Sequence, residues 1–343
     1  MTVFRRRRGS RGELVLGPGG SAPLVPRKPS WVLLACAVML VLIAGFMSAD
    51  LLVGIGAMRD VLTSTDELTR HSAQTEVMAF RAFCLALAAG LLGIAVFWRQ
   101  LAQSRFVQRL QSGGVPQIED SAAHGKFFNV SLAVTLLSLL AGLGYEAIGG
   151  RIFSESQLRA INREDGVVET SQAVLFLLSA LVAVTIAVRD GGNRRRVHAV
   201  MSFGFFLCAG EEVSWGQRIF GFNTFGMFKH YNIQGEINIH NLFGLPFENL
   251  FSLFVLLYGV LLPCLRASNP FFRAIFARLG LPLPSPGLAA GFLIVSLVHA
   301  WVIDLVLTPT SGLLFGELRE MLTALAFLLL MAESWSKRCM SPG

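Results

Sequence analysis

The chain has 343 residues; 53% are hydrophobic, only 15% are charged, the net charge is +7 and the mean hydropathy is +0.59. A soluble domain averages about 25% charged residues, so a soluble globular enzyme is excluded. A transmembrane barrel is excluded too, because its strands alternate in polarity and are about half as long as the apolar stretches here.

Residues 1–30 combine seven basic residues, among them Arg5 to Arg8, with Gly, Pro and Ser, and lack apolar periodicity. They are expected to form a disordered cytoplasmic tail. Apolar stretches of roughly 18–24 residues follow, each long enough to cross a hydrocarbon core of about 30 Å. They cover about 31–54, 77–98, 127–149, 168–188, 199–220, 249–266, 287–308 and 318–335. The first is too long for a signal-peptide core and is expected to anchor the chain. The expected fold is all-α: a polytopic transmembrane helix bundle of about eight spans over 31–336. An outer re-entrant or surface segment is expected at 222–248, and a cytoplasmic C-terminus at 337–343.

Lys and Arg in the flanks set the orientation. With the N-terminus in the cytoplasm, 20 of the 29 Lys and Arg residues fall in cytoplasmic segments, and both termini lie on that side. Of the 22 Asp and Glu residues, 17 fall in outer loops or toward the outer halves of spans. The expected location is a cell membrane, of the bacterial inner-membrane type. The basic face follows from this rule and from attraction to anionic lipid headgroups; no nucleic-acid partner is read from it. The cysteines (Cys36, Cys84, Cys208, Cys264 and Cys339) show no CxxC spacing and avoid the outer loops. They are expected to be small packing residues.

An ionisable group within a span is costly and marks a protein interior or a wet cavity. In chain order, the first such group enters span 4, where Asp165, Glu169 and Gln172 share a helix face (i, i+4, i+7). Acids at a helix N-terminus also complement its dipole. Span 5 carries Glu211 and Glu212. On a continuous helix Glu211, Trp215 and Arg218 form one stripe, and Glu212, Trp215 and Gly216 the next. Arg218 cannot neutralise both glutamates, so a proton, a metal or another cation is required. The outer segment then alternates from Asn232 to His240. If extended, it projects Asn232, Gln234, Glu236, Asn238 and His240 to one side, with Asn241 following. Span 7 carries His299, which shares a face with Ser296, and Asp304 further round. Glu317 and Glu320 share a face at the start of span 8, beside Arg319. Asp50, Arg81 and Glu146 are isolated, and structural ion pairing explains them as well as any direct role.

Topology brings these groups to one side. Spans 4, 5, 7 and 8 and the outer segment all place their polar residues toward the extracytoplasmic face, and the inner half is nearly free of charge. One polar cavity is expected, floored by Glu211 and Glu212 and covered by 222–248. Non-helical backbone at membrane depth is tolerated where protein or water covers it. The chemistry expected is that of a hydrolase or transferase acting on a lipid or lipid-linked substrate. Glu211, Glu212 and His299 would be catalytic. Trp215, Gln217, Arg218, Asn232, Gln234, Glu236, Asn238 and Asn241 would bind substrate. Glu212, His240 and Glu169 would hold one divalent metal ion. Without a metal, one of two adjacent glutamates would keep its proton and act as a general acid. An ion- or proton-coupled transporter and a non-enzymatic assembly protein are the alternatives.

The run Gly210-Glu211-Glu212-Val213-Ser214-Trp215-Gly216-Gln217-Arg218, followed by Asn232-x-Gln234-x-Glu236-x-Asn238-x-His240-Asn241, resembles a group of uncharacterised bacterial inner-membrane proteins. The Glu164-Asp165-Gly166 entry to span 4 is similar as well. The resemblance covers about 160–245 and implies a polytopic inner-membrane protein with no assigned activity. The glutamate pair is also similar to one motif of the CAAX-type intramembrane proteases. That family expects EExxxR, FxxxH and HxxxN/D. Here Gly216 stands where the arginine belongs, and neither His240 nor His299 has the required neighbours, so that family is not adopted.

Overall fold

The computed structural model describes residues 31–54, 62–65, 67–105, 166–232, 235–239, 254–295 and 315–340, with Phe251 and a few positions between 133 and 157. The N-terminal tail, most of the third expected span and the second half of the seventh lie outside the described residues. Regular structure among the described residues is helical, without a strand. Two helical stretches, Ala73–Val96 and Val167–Arg189, are long and apolar enough to cross a membrane.

The N-terminal part pairs α1 (Trp31–Phe46) with α3 (Glu67–Val96); the short α2 (Ala49–Gly54) lies between them. Arg81 on α3 donates from Nε to the carbonyl of Ala44, 3.0 Å away. That carbonyl is among those a helix end leaves without an intrahelical partner, so Arg81 is accounted for without an acid. After α4 (Trp98–Gln103), the chain resumes at α5 (Val167–Arg189) and turns through Gly192, at φ +60°, into α6 (Gly192–Glu212). The expected 168–188 stretch matches α5 closely. The expected 199–220 stretch does not match α6, which begins seven residues earlier and stops at Glu212. Hydropathy had placed Arg194, Arg195 and Arg196 in a flank, but arginine is a good helix former and the helix runs through them.

The remaining helices are α7 (Gln217–Phe220), α8 (Gly226–Tyr231), α9 (Phe254–Ser268), α10 (Pro270–Leu279), α11 (Pro286–Leu293) and α12 (Phe315–Met340). Helix α9 contains a π-helical stretch, Leu257–Leu261. A Cβ on its Gly259 would stand 2.5 Å from Phe292, so the missing side chain is what lets the fully buried Phe292 ring of α11 pack there. Phe327 of α12 gathers the core. Its ring meets Phe292 at 5.1 Å, Phe205 of α6 at 5.3 Å and Tyr258 of α9 at 6.4 Å.

Helices α5 and α12 run parallel and are joined at both ends. Gln172 Nε2 donates to Glu320 at 3.2 Å, and Arg338 Nε donates to Asp190 at 2.6 Å; each pair is 148 residues apart in sequence. The two contacts lie 18 residues apart on each helix, about 27 Å at 1.5 Å per residue. That is close to the thickness of a hydrocarbon core.

The end of the bundle that carries Arg338 was expected to be almost free of buried charge, and it is not. Asp190 sits between Arg338 and Arg194, 2.6 Å from each. Arg194 also donates to the Ser334 carbonyl at 3.0 Å. His198 is 1% exposed; its Nδ1 lies 2.8 Å from the Arg194 carbonyl and its Nε2 lies 2.9 Å from Ser334 Oγ. A carbonyl only accepts, so Nδ1 carries the proton, and in the neutral ring Nε2 accepts from Ser334. Glu333, also 1% exposed, accepts from Ser285 Oγ at 2.6 Å and from Ser285 N at 3.0 Å. Ser285 in turn caps α11 by accepting from Leu288 N. Read along the chain, these residues are only flanks of apolar stretches. Their pairing across 48 to 148 residues appears only in three dimensions.

The outward faces of the long helices are apolar. Leu34, Val38 and Leu42 on α1, Leu177, Leu181, Val184 and Val188 on α5, and Val200 and Phe203 on α6 are all exposed. Soluble monomers seldom show contiguous apolar surface on this scale.

Candidate functional site

Helix α6 stops at the glutamate pair because three consecutive residues leave helical space. Ser214, Trp215 and Gly216 have φ of 45°, 54° and 80°. For the two non-glycine residues the left-handed conformation costs roughly 1–2 kcal/mol each, and the contacts it permits must offset that. The turn folds the Trp215 indole back over α6. There Nε1 donates to Glu211 Oε1 at 2.8 Å, and the ring meets Phe206 edge-on at 6.0 Å. Gly210 provides the space, since a Cβ there would stand 2.9 Å from the indole. The same turn points Ser214 Oγ inward, where it donates to Glu236 Oε2 at 2.5 Å. The Glu211–Trp215 contact expected from an i, i+4 stripe therefore exists, but through a left-handed turn rather than along a helix.

The segment after α8 is a closed loop rather than an extended row. Asn232 Oδ1 accepts from Glu236 N at 3.1 Å, and Asn232 Nδ2 donates to the carbonyl and Oδ1 of Asn238, at 2.9 and 2.7 Å. Gly235, at φ 70°, allows the reversal. Gln217 ties the loop to the end of α6: its Oε1 accepts from Ile237 N at 2.8 Å, and its Nε2 donates to Thr224 Oγ1 at 2.7 Å. The Ile239 amide donates to the second oxygen of Glu211. Alternation would have put Ile237 and Asn238 on opposite sides, yet both are buried, because the loop wraps around Asn232.

Six expected site residues thus meet: Glu211, Trp215, Gln217, Asn232, Glu236 and Asn238. Glu212 is half-buried at the end of α6, next to them. Glu169 is half-buried in the first turn of α5. Gln234, His240, Asn241 and His299 lie outside the described residues, as does the side chain of Arg218. Ser214 was not singled out from sequence. Its signal was available: it lies between the glutamate pair and Gly216, where a small hydroxyl residue suits a helix end better than a span interior.

The adjoining face is built by α5 and α12. Gln172 is 1% exposed; its amide nitrogen serves Glu320, and its Oε1 is buried without a hydrogen-bond partner among the described residues. Glu320 also lies 3.9 Å from the Arg319 guanidinium. Cys208, one turn before the glutamate pair, is within electrostatic reach of Glu211, Glu212 and Glu320. Among the described residues no three His, Cys, Asp or Glu side chains come together as a metal site; of the three expected ligands, His240 falls outside them.

Comparison of the chain with protein-family models, with curated proteins and with solved structures finds no match.

Proposed function

We propose that the chain is an eight-span protein of a bacterial inner membrane, with both termini in the cytoplasm. In this reading it is a hydrolase or transferase acting on a lipid or lipid-linked substrate at the outer face. The topology has support beyond the charge count. Parallel α5 and α12 require an odd number of crossings between them, and the sequence places three there. The apolar outer faces of α1, α5 and α6 support a lipid environment.

The observation that carries the enzymatic reading is the interrupted helix with two carboxylates at its end. The break falls about 30 Å along α6 from Gly192, at the edge of a hydrocarbon core, where a site can meet lipid headgroups. Glu211 is oriented through both oxygens by N–H donors, from Trp215 and Ile239. In this reading Glu212 acts as acid and base, with His299 from span 7 as its relay. Gln217, Asn232 and Asn238 use their amides to close the loop, so headgroup binding falls to Trp215, Arg218, Gln234 and Asn241. A metal-dependent version would place one divalent ion on Glu212, Glu169 and His240.

The test is turnover of total membrane lipid extract by purified wild type and by Glu212→Gln, with products read by mass spectrometry and bound metal by elemental analysis. New products from wild type alone support the reading. The same products from both proteins, or none from either, would sink it.

A second reading has one observation in its favour. The buried Glu333–His198 region gives the inner half ionisable groups, which an ion-coupled carrier needs and the sequence reading lacked. Uptake of labelled solute into proteoliposomes, driven by a proton gradient and absent in Glu333→Gln, would support that reading instead.

A further inference from the structure

Near the basic end of the bundle, an open groove of about 610 Å³ runs between α5 and α12. Leu178, Leu181 and Val182 line one wall, and Ala332, Trp335, Ser336 and Cys339 line the other. On each helix the lining positions recur at i, i+3 or i+4, and i+7, so the groove follows the helix axes for about 10 Å. Thr185 is also in the lining, but its hydroxyl is used by the Leu181 carbonyl at 2.7 Å. The walls are therefore mostly hydrocarbon, with the Ser336 hydroxyl as a polar group among them.

The mouth of the groove is different. The guanidiniums of Arg189 and Arg338 both lie over the Trp335 ring, 5.0 and 5.9 Å from its centre. Arg338 is already paired with Asp190, which it shares with Arg194. Around the mouth, three guanidiniums (Arg189, Arg194 and Arg338) thus share one carboxylate, Asp190. Arg189 packs its guanidinium on the Trp335 ring, and its carbonyl accepts from Arg338.

We infer that this groove binds an anionic phospholipid of the cytoplasmic leaflet, with an acyl chain between α5 and α12 and the phosphate at Arg189. An apolar trough with an aromatic ring at one end and unbalanced guanidiniums above it matches the two ends of such a lipid. Tryptophan favours the headgroup level. Arginine is suited to phosphate through its fork of donors. Basic pockets between transmembrane helices on the cytoplasmic side select acidic headgroups. The inference rests on the orientation proposed above, which puts this end of the bundle in the cytoplasmic leaflet. It concerns the end opposite the carboxylate cavity and is independent of any chemistry there.

The experiment uses the full chain reconstituted in bilayers doped with either phosphatidylglycerol or phosphatidylcholine carrying a dibrominated acyl chain. Bromine quenches nearby tryptophan, and subtracting the signal of Trp335→Phe isolates Trp335 from the other four tryptophans. Quenching of Trp335 should favour phosphatidylglycerol. Arg189→Gln should reduce that preference about fivefold, the size expected for one basic residue at the membrane surface. Ala332→Phe, which fills the groove, should weaken quenching by both lipids. Equal quenching by the two lipids, a preference that survives in Arg189→Gln, or a Trp335 shielded from both lipids would overturn the inference while leaving the membrane topology intact. No quenching of any tryptophan would overturn the topology as well.

Discussion

The left-handed turn after α6 makes Gly210 the most informative single position in the chain. Replacing it with alanine adds a methyl group 2.9–3.0 Å from three atoms of the Trp215 ring. Carbon atoms at contact prefer roughly 3.5–4.0 Å, so the indole must move away and its hydrogen bond to Glu211 is lost. A hydrogen bond to a charged group is worth about 1.5–3 kcal/mol. Alanine regains about 0.8–1.0 kcal/mol of helix propensity relative to glycine. Gly210→Ala should therefore destabilise the protein by about 0.5–2 kcal/mol. Gly204 lies on the same helix, and a Cβ there would meet nothing within 4 Å. Gly204→Ala should be neutral or stabilising, by at most ~1 kcal/mol. The two variants carry the same chemical change, so their difference of roughly 1.5–3 kcal/mol isolates the indole contact. Thermal unfolding of detergent-purified protein, followed by circular dichroism, gives the stabilities, and tryptophan emission reports the displaced indole. If Gly210→Ala matched Gly204→Ala in stability and emission, the folded-back indole would be refuted.

Three further substitutions test the opposite end. Gly280→Ala should cost at least about 2 kcal/mol: the left-handed backbone accounts for ~1–2 kcal/mol, and the new Cβ would stand 2.7 Å from Arg194 Cα. The same unfolding assay checks it, with Gly191→Ala, which meets nothing within 4 Å, as the comparison. Glu333→Gln replaces one of the two oxygens that Ser285 binds by an NH₂ group, and should destabilise by about 1–3 kcal/mol; a wild-type melting curve would contradict the pairing. Arg338→Ala should cost only about 1 kcal/mol, because Asp190 keeps Arg194 and the pair is partly exposed. Its effect should shrink as salt is raised, which a melt series in salt measures.

The parts legible in the sequence were those governed by local pattern. Hydropathy located α5 within one residue at each end, because apolar length is a one-dimensional property. The Glu320–Gln172 contact was within reach because both residues begin an apolar stretch on the same side. The end of α6 was not legible. Val-Ser-Trp-Gly lacks the glycine or asparagine that usually closes a helix immediately, and the break depends on Gly210 accommodating an indole five residues ahead. The polar row from Asn232 was misjudged for a related reason: asparagine side chains compete with the backbone for its own hydrogen bonds, and at Asn232 they fold the segment on itself. The buried cluster of His198, Ser285, Glu333 and Ser334 was missed because each residue has an ordinary local explanation. Glu333 was the available signal, as the sole carboxylate in the inner half of its apolar stretch.

The matched contacts at the two ends of α5 and α12 also constrain how the protein is made. Asp190 finds Arg194 four residues on, but Glu320, the partner of Gln172, and Arg338, the second partner of Asp190, are translated 148 residues after them. At about 5–20 residues per second that is a wait of roughly 7–30 s. During it, the α5–α6 hairpin already holds Asp190 through Arg194 at one end, while the Gln172 amide at the other end lacks the Glu320 carboxylate it will meet. Arrival of α12 then closes both ends of the assembly together, so pairing of α5 with α6 and final packing are separate events in the life of this chain.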